Sequence, residues 1–324
     1  MAAAVYSLPG ALAGLAERDG VALDALDVAV ALGLPWWIVA SDEEPCPARW
    51  ACYARDAFLR DAAELIGLSI RPVHPPVAAR GLSAADEFTQ HFDASYRPFI
   101  DRALENNQVI LAWRGWSAPF DWSWGLIDAR RDEGLGYGGT IWTCDETPGD
   151  MRYHRAVLTS PAVQLYVVER RAWREPDAES WVSVAFRVAG LAVAEGAGRG
   201  AGVVSGAEAI EAWKRKLRST RGAATSLAAV DENRACANQH AMLAACGARF
   251  LNRHRDLIAR VHGERTAEQW LAGAEALHSA WSTAASMFAA HSAALSHGMA
   301  IDSALDPALT AILALRAVCV PGAL

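Results

Sequence analysis

Apolar residues recur at short periods along the first half of the chain and at long helical periods along the second. Ala11 to Arg18 and Ala22 to Leu32 read as short helices separated by Asp19-Gly20, and Pro35 ends the second before a Trp36–Ala40 run of β type. Trp50 to Ile66 carries Phe58, Leu59, Ala62, Ala63 and Ile66 on one helical side. Gly67 stops it, at a position where glycine takes the left-handed conformation freely. Leu68 to Val73 alternates as a strand closed by Pro72, Pro75 and Pro76. Ser95 caps a helix ending near Leu104, and Asn106-Asn107 supply the turn. Three strands follow, Val109–Trp113, Trp124–Ala129 and Thr140–Thr143, with glycines at 134, 136, 138 and 139 as turns between the last two. The uninterrupted V-I-L-A-W run predicts a central strand buried on both faces, and Val163–Glu169 reads as one more strand.

From Asp177 onward the pattern is helical. Asp177 caps a helix to about Glu195, and Ser205 with Glu208 and Thr266 with Gln269 have capping-box spacing. The glycine-rich Glu195–Gly202 stretch reads as a link, because its spacing fits neither a dinucleotide nor a phosphate-loop fingerprint and it follows a helix rather than a strand. Asp231 to about His262 reads as one long helix. In the next, Trp270, Ala274, Leu277, Trp281, Ala284, Phe288, Ser292 and Leu295 recur at steps of four and three, the seam of a helix packed in a bundle or against a second copy of the chain. The expected architecture is α+β: a domain with a central, mostly antiparallel sheet over residues 1–175, then an all-helical domain over 176–324.

Composition narrows the function classes. With 324 residues, 52% hydrophobic and 21% charged, the chain is long and apolar enough to bury two cores. A net charge of −7 disfavours a nucleic-acid partner. Lys214, Arg215, Lys216, Arg218 and Arg221 cluster, but interleaved with Trp213 and Leu217 they read as the solvated face of a helix. The most apolar stretch, Val21 to Ala40, is broken by Asp24, Asp27 and Pro35, whereas a spanning helix needs roughly 20 nearly uninterrupted apolar residues. No positive leader precedes the first helix, so the cytoplasm is expected, with the cysteines at 46, 52, 144, 236, 246 and 319 as reduced thiols.

The opening S-L-P-G-A-L (Ser7–Leu12), the run A-L-E-N-N-Q-V-I-L-A-W (Ala103–Trp113) and S-W-G-L-I-D (Ser123–Asp128) together resemble the C39-like branch of papain-fold cysteine proteins. G-A-E-A-I-E-A-W (Gly206–Trp213) and A-R-F-L (Ala248–Leu251) are similar to the helical tail of proteins related to the butirosin-biosynthesis acyltransferase. The resemblance implies a papain-like, C39-type domain in which the first helix packs on the strands Val109–Trp113 and Trp124–Ala129. Ser7 then stands where the family has its cysteine nucleophile, Ser123 where it has the catalytic histidine, and Asp145 near the orienting Asn or Asp. The glutamine that supplies an oxyanion donor has no counterpart in Met1–Tyr6. A serine without an imidazole stays protonated near neutrality, and a second serine cannot take its proton. The expectation is a pseudoenzyme that binds a small molecule or peptide.

Rival chemistry remains open. Cys52, in C-P-A-R-W-A-C, or Ser7, with an imidazole from elsewhere, would give an acyl or amide transferase or hydrolase; His74 and His91 are the imidazoles near Cys52 in sequence, and a cysteine within an amphipathic helix also reads as a packing residue. Cys236 and His240 share a helix face with Cys246 further along, too few ligands for zinc, so neither metal nor cofactor is expected. His254, His262, His278, His291 and His297 read as ordinary surface or core residues, and His154 shows no companion. Trp113, Trp116, Trp122 and Trp124 are candidates for an aromatic ligand wall, with core packing as the alternative.

Overall fold

The computed structural model describes residues 6–41, 55–73, 96–131, 136–144, 151–160, 162–174, 176–194, 203–219, 227–293 and 301–320. In chain order these form α1 (Ser7–Arg18), α2 (Ala25–Ala31), β1 (Val39–Ser41), α3 (Asp56–Leu65), β2 (Leu68–Pro72), α4 (Arg97–Glu105), β3 (Val109–Trp113), β4 (Trp124–Arg130), β5 (Tyr137–Cys144), β6 (Met151–Leu158) and β7 (Gln164–Arg171). Then come α5 (Ala178–Ala194), β8 (Val203–Ser205), α6 (Gly206–Ser219), α7 (Leu227–Arg253), α8 (Arg255–His262), α9 (Glu264–Ala293), a 3-10 turn (Ile301–Leu305) and α10 (Asp306–Cys319). The architecture is mixed helix and sheet. The chain divides into two compact units, Met1–Val28 with Ala54–Pro176, and Ala29–Tyr53 with Asp177–Leu324. The Ser95 cap and the Glu195–Gly202 link lie outside the described residues.

The first unit is built on a six-stranded antiparallel sheet in the order β2-β7-β3-β4-β5-β6. Strand β3 lies between β4 and β7, and its Ile110, Leu111, Ala112 and Trp113 are fully buried, as the continuous apolar run predicts. Helix α1 packs on β4 and β5, one strand further from β3 than the resemblance implies, while α4 packs on β3 and β4. Tyr137 ties α4 to the sheet by donating to Asp101 at 3.0 Å, and burial with that bond raises the phenol's pKa. Two features depart from the sequence reading. Strand β6 pairs along the whole of β5, and its exposed Arg152, Tyr153 and Arg155 hide the period of an edge strand. Gly138 and Gly139, read as a turn, lie inside β5.

Gly139 belongs in the strand because Trp116 lies over it. The indole, 2% exposed, comes from the β3–β4 connection and donates to the carbonyl of Ala112 at 3.2 Å. A Cβ at Gly125 would sit 2.6 Å from this ring, and one at Gly139 only 2.4 Å away. Two neighbouring strands therefore lack side chains where the ring crosses them. The connection is pinned at its outer side as well: the amide of Ser117 donates to Val157 at 2.7 Å, and those of Thr159 and Ser160 donate to Gly115. Arg114 and Gly115, with φ of 68° and 83°, make the turn.

In the second unit β1 and β8 form a two-stranded antiparallel ladder against α6, and α9 packs along α7 and α10. The seam residues Trp270, Ala274, Leu277, Trp281, Ala284 and Phe288 are buried inside this unit. Asp177 caps α5 as expected, accepting from the amide of Ser180 at 2.8 Å, which holds its carboxyl below the usual range. The long helix expected to run to His262 instead breaks at His254, whose ring packs on Phe250. Helix α9 begins at Glu264, directly after Gly263 (φ 91°), rather than at the Thr266 capping box. Lys214 is not on a solvated face: it is 7% exposed and pairs with Asp306 at 2.6 Å, while Arg218 pairs with Asp302 at 2.7 Å.

Two stability measurements follow from these contacts. Gly139→Ala should lower the denaturation midpoint by roughly 1–3 kcal/mol of overpacking, because both the Leu126 carbonyl and the Trp116 ring stand 2.4 Å from the added carbon. Gly138→Ala, whose nearest neighbour lies at 3.5 Å, should be close to neutral. The second concerns His240, 3% exposed and stacked on Trp281 at 4.9 Å, where burial pushes its pKa down from 6.5 to about 4. The folded state keeps the ring neutral while the unfolded chain takes up a proton below pH 6.5. Stability from this group should thus fall by up to about 3 kcal/mol as pH drops through that window, and level off below 4. A pH series of unfolding curves on His240→Leu should lack that component.

Candidate functional site

Ser7 is the first residue of α1 and is fully buried. Its Oγ accepts a hydrogen bond from the amide of Trp124 at 2.9 Å, which brings the head of the helix to the start of β4, beside buried Ser123. The two serines singled out from the sequence are thus brought together. Asp145 lies outside the described residues, as do Cys46, Cys52, His74, His91 and His297. His154, the one described histidine of this unit, is on β6 and has companions after all. Its Nε2 is 2.8 Å from the hydroxyl of Thr143, and its ring packs on Phe120 at 5.0 Å.

The four candidate tryptophans separate. Trp113, Trp116 and Trp124 are core residues, at most 2% exposed. Trp113 stacks on Trp124 at 6.3 Å, and Trp124 on Tyr166 at 6.0 Å. The Tyr166 hydroxyl donates to Asp56 and accepts from Gln164. Trp122 alone is half-buried, and the Arg114 guanidinium lies 3.8 Å over its ring. The start of β4, where the resemblance places the histidine, thus carries a buried stack of Trp113, Trp124 and Tyr166.

An open cleft of about 530 Å³ lies along α1. Tyr6, Gly10, Ala13, Gly14 and Glu17 form its first wall, at the spacing of one helical face. The segment Ala22 to Leu26 forms a second, held by Asp24, whose carboxylate accepts from the amide of Leu26 at 2.8 Å. Trp142 and Tyr153, cross-strand partners on β5 and β6, form the third. Gly14 is required there, because a Cβ would lie 2.3 Å from the Trp142 ring. Beside the cleft, Arg18 lies 5.6 Å over Trp142 and pairs with Asp128 at 3.1 Å, and Arg155 reaches the same carboxylate at 2.9 Å. Sequence reasoning missed this site because its walls come from three separated segments. The only local signal was the pair of glycines at i and i+4 on α1.

Among the described residues no three His, Cys, Asp or Glu side chains converge as a metal site. Cys236 and Cys246 are buried thiols, and burial pushes the Cys319 thiol up to about 12. No described helix is long and apolar enough to cross a membrane. No protein-family model matches the chain, and no curated protein matches it.

Ser7→Ala should cost about 1–3 kcal/mol, since the Trp124 amide loses its acceptor at a buried position. Trp113→Ala and Trp124→Ala should each cost about 3–5 kcal/mol, and Trp122→Ala clearly less, as its ring is only partly buried. Denaturant midpoints of the four variants check this ordering.

Proposed function

We propose that the first unit is a papain-like, C39-type domain that has lost its catalytic pair, and that the chain acts as a cytoplasmic binding or accessory protein for a small molecule or peptide. The observation that carries this reading is the contact between Ser7 and the start of β4. Ser7 heads the first helix, and its hydroxyl oxygen accepts a hydrogen bond from the backbone amide of Trp124, beside Ser123, which stands where the resemblance has the catalytic histidine. A nucleophile must instead give its proton to a base and meet substrate. A hydroxyl that is fully buried meets none. The cleft on α1, by contrast, is open, of a size that suits a small ligand, and has both apolar and polar lining groups.

The test combines a covalent probe with a turnover assay. A fluorophosphonate should leave Ser7 unlabelled, and ester, thioester and peptide substrates should not turn over above the rate of a Ser7→Ala variant. A stoichiometric Ser7 adduct, or turnover lost on Ser7→Ala while the fold is kept, would sink the non-catalytic reading.

A further inference from the structure

Strand β6 is one edge of the six-stranded sheet, and that edge is covered only at its end. There the β3–β4 connection runs antiparallel to it: the amide of Ser117 donates to the carbonyl of Val157 at 2.7 Å, and that of Thr159 to Gly115 at 2.8 Å. A turn, closed by the amide of Phe120 on the carbonyl of Ser117, then takes the connection off the edge. The carbonyl of Val157 therefore faces away from β5. The β5–β6 register is continuous, and alternate residues of an antiparallel ladder turn both N–H and C=O outward, so those of Arg155 and Tyr153 face outward too. Among the described residues no backbone or side-chain group meets them.

Residues opposite one another on neighbouring strands share a face of the sheet. Thr140 stands opposite Arg155, and Trp142 opposite Tyr153. In the first row two guanidiniums converge on one carboxylate: Arg18 and Arg155 reach Asp128 at 3.1 and 2.9 Å, and each donates to the Thr140 hydroxyl at 2.7 Å. One positive charge is left over, and the exposed Arg155 carries it at the edge. In the second row Trp142 and Tyr153 line the α1 cleft, with Tyr153 itself 73% exposed. We infer that the open part of β6 takes an extended peptide segment of a partner protein as a seventh, antiparallel strand, with a carboxylate residue opposite Arg155 and an apolar residue two positions on, opposite Tyr153. Main-chain bonds to residues 155 and 153 hold the segment, and its two inward side chains select it. The strand continues the line that Gly115–Ser117 begins. A second copy of β6 fits less well, because it brings another Arg152 and Arg155 to a short ladder, where like charges on paired strands oppose each other. This partner is the peptide of the binding reading above, on which the assignment rests, but the edge is independent of the Ser7 contact.

The experiment uses the full chain and the peptide Ac-Glu-Thr-Leu-Thr-Val-NH2, followed by NMR at the amides of Tyr153 and Arg155. Both amides should exchange quickly with solvent in the free protein, and peptide should slow them at least roughly tenfold. N-methylation of the peptide's Glu and Leu nitrogens, which face β6, should abolish binding, whereas methylation of the Thr between them, whose N–H faces away, should leave most of it. Exchanging the peptide's Glu for Lys should weaken binding by roughly threefold to fivefold, and less at raised salt. Arg155→Gln, at an exposed position, should remove most of that preference while keeping the ladder. Tyr153→Pro takes away an outward N–H but no bond to β5, so the fold should be kept and the peptide lost. Amides at 153 and 155 already protected in the free protein, no slowing by peptide, or equal binding when the facing nitrogens are methylated overturns the edge assignment. The non-catalytic reading then still stands or falls on the Ser7 probe. Protection that grows with protein concentration alone identifies a second copy as the occupant and overturns the peptide.

Discussion

The first unit depends on one ring lying where two strands have no side chains. Trp116 crosses β4 and β5 at Gly125 and Gly139, and any Cβ at either position would collide with it. Because the ring is seated, the β3–β4 connection is fixed at its midpoint. The connection's outer side is bonded to the β6–β7 corner and its inner end delivers Ser123 and Trp124 to the head of α1. The contact between Ser7 and Trp124 is therefore a consequence of sheet packing, and Trp113 and Tyr166 pack against the Trp124 ring beside it.

Much of this fold was legible because it rests on strong local signals. The apolar V-I-L-A-W run gave β3 with its observed ends, the step of four and three gave the α9 seam, and Asp177 marked the start of α5. What escaped had weak or contradictory local signals. Strand β6 sits at a sheet edge with exposed arginines and a tyrosine, so its alternation is diluted. Gly138 and Gly139 carry turn chemistry, yet tertiary packing of Trp116 overrides it. The β1–β8 ladder joins residues 39–41 to 203–205, a pairing that no window of sequence contains. The break at His254 has no glycine or proline to announce it.

The site divides in the same way. Ser7 and Ser123 were found through a resemblance of motifs, and they are neighbours in the structure. The tryptophans were marked by residue type and by their place on neighbouring strands, and neither distinguishes a ligand wall from a core. Burial decides: Trp113, Trp116 and Trp124 are inside, whereas Trp142 and Tyr153 line the open cleft. Neither of those carries a motif. Their role comes from standing opposite each other on β5 and β6 next to a helix face made of small residues.

Gly14 links the helix, the sheet and the cleft in a way that bears on how the protein can vary. The Trp142 ring occupies the place where a methyl group would project from α1, so the helix and β5 approach to the thickness of an aromatic ring. Positions 14 and 142 therefore cannot drift independently. A larger residue at 14 requires a smaller one at 142, and that exchange would remove the cleft's third wall together with the ring over which Arg18 lies. Among homologous chains, a paired change at these two positions would mark the lineages in which the cleft has been given up.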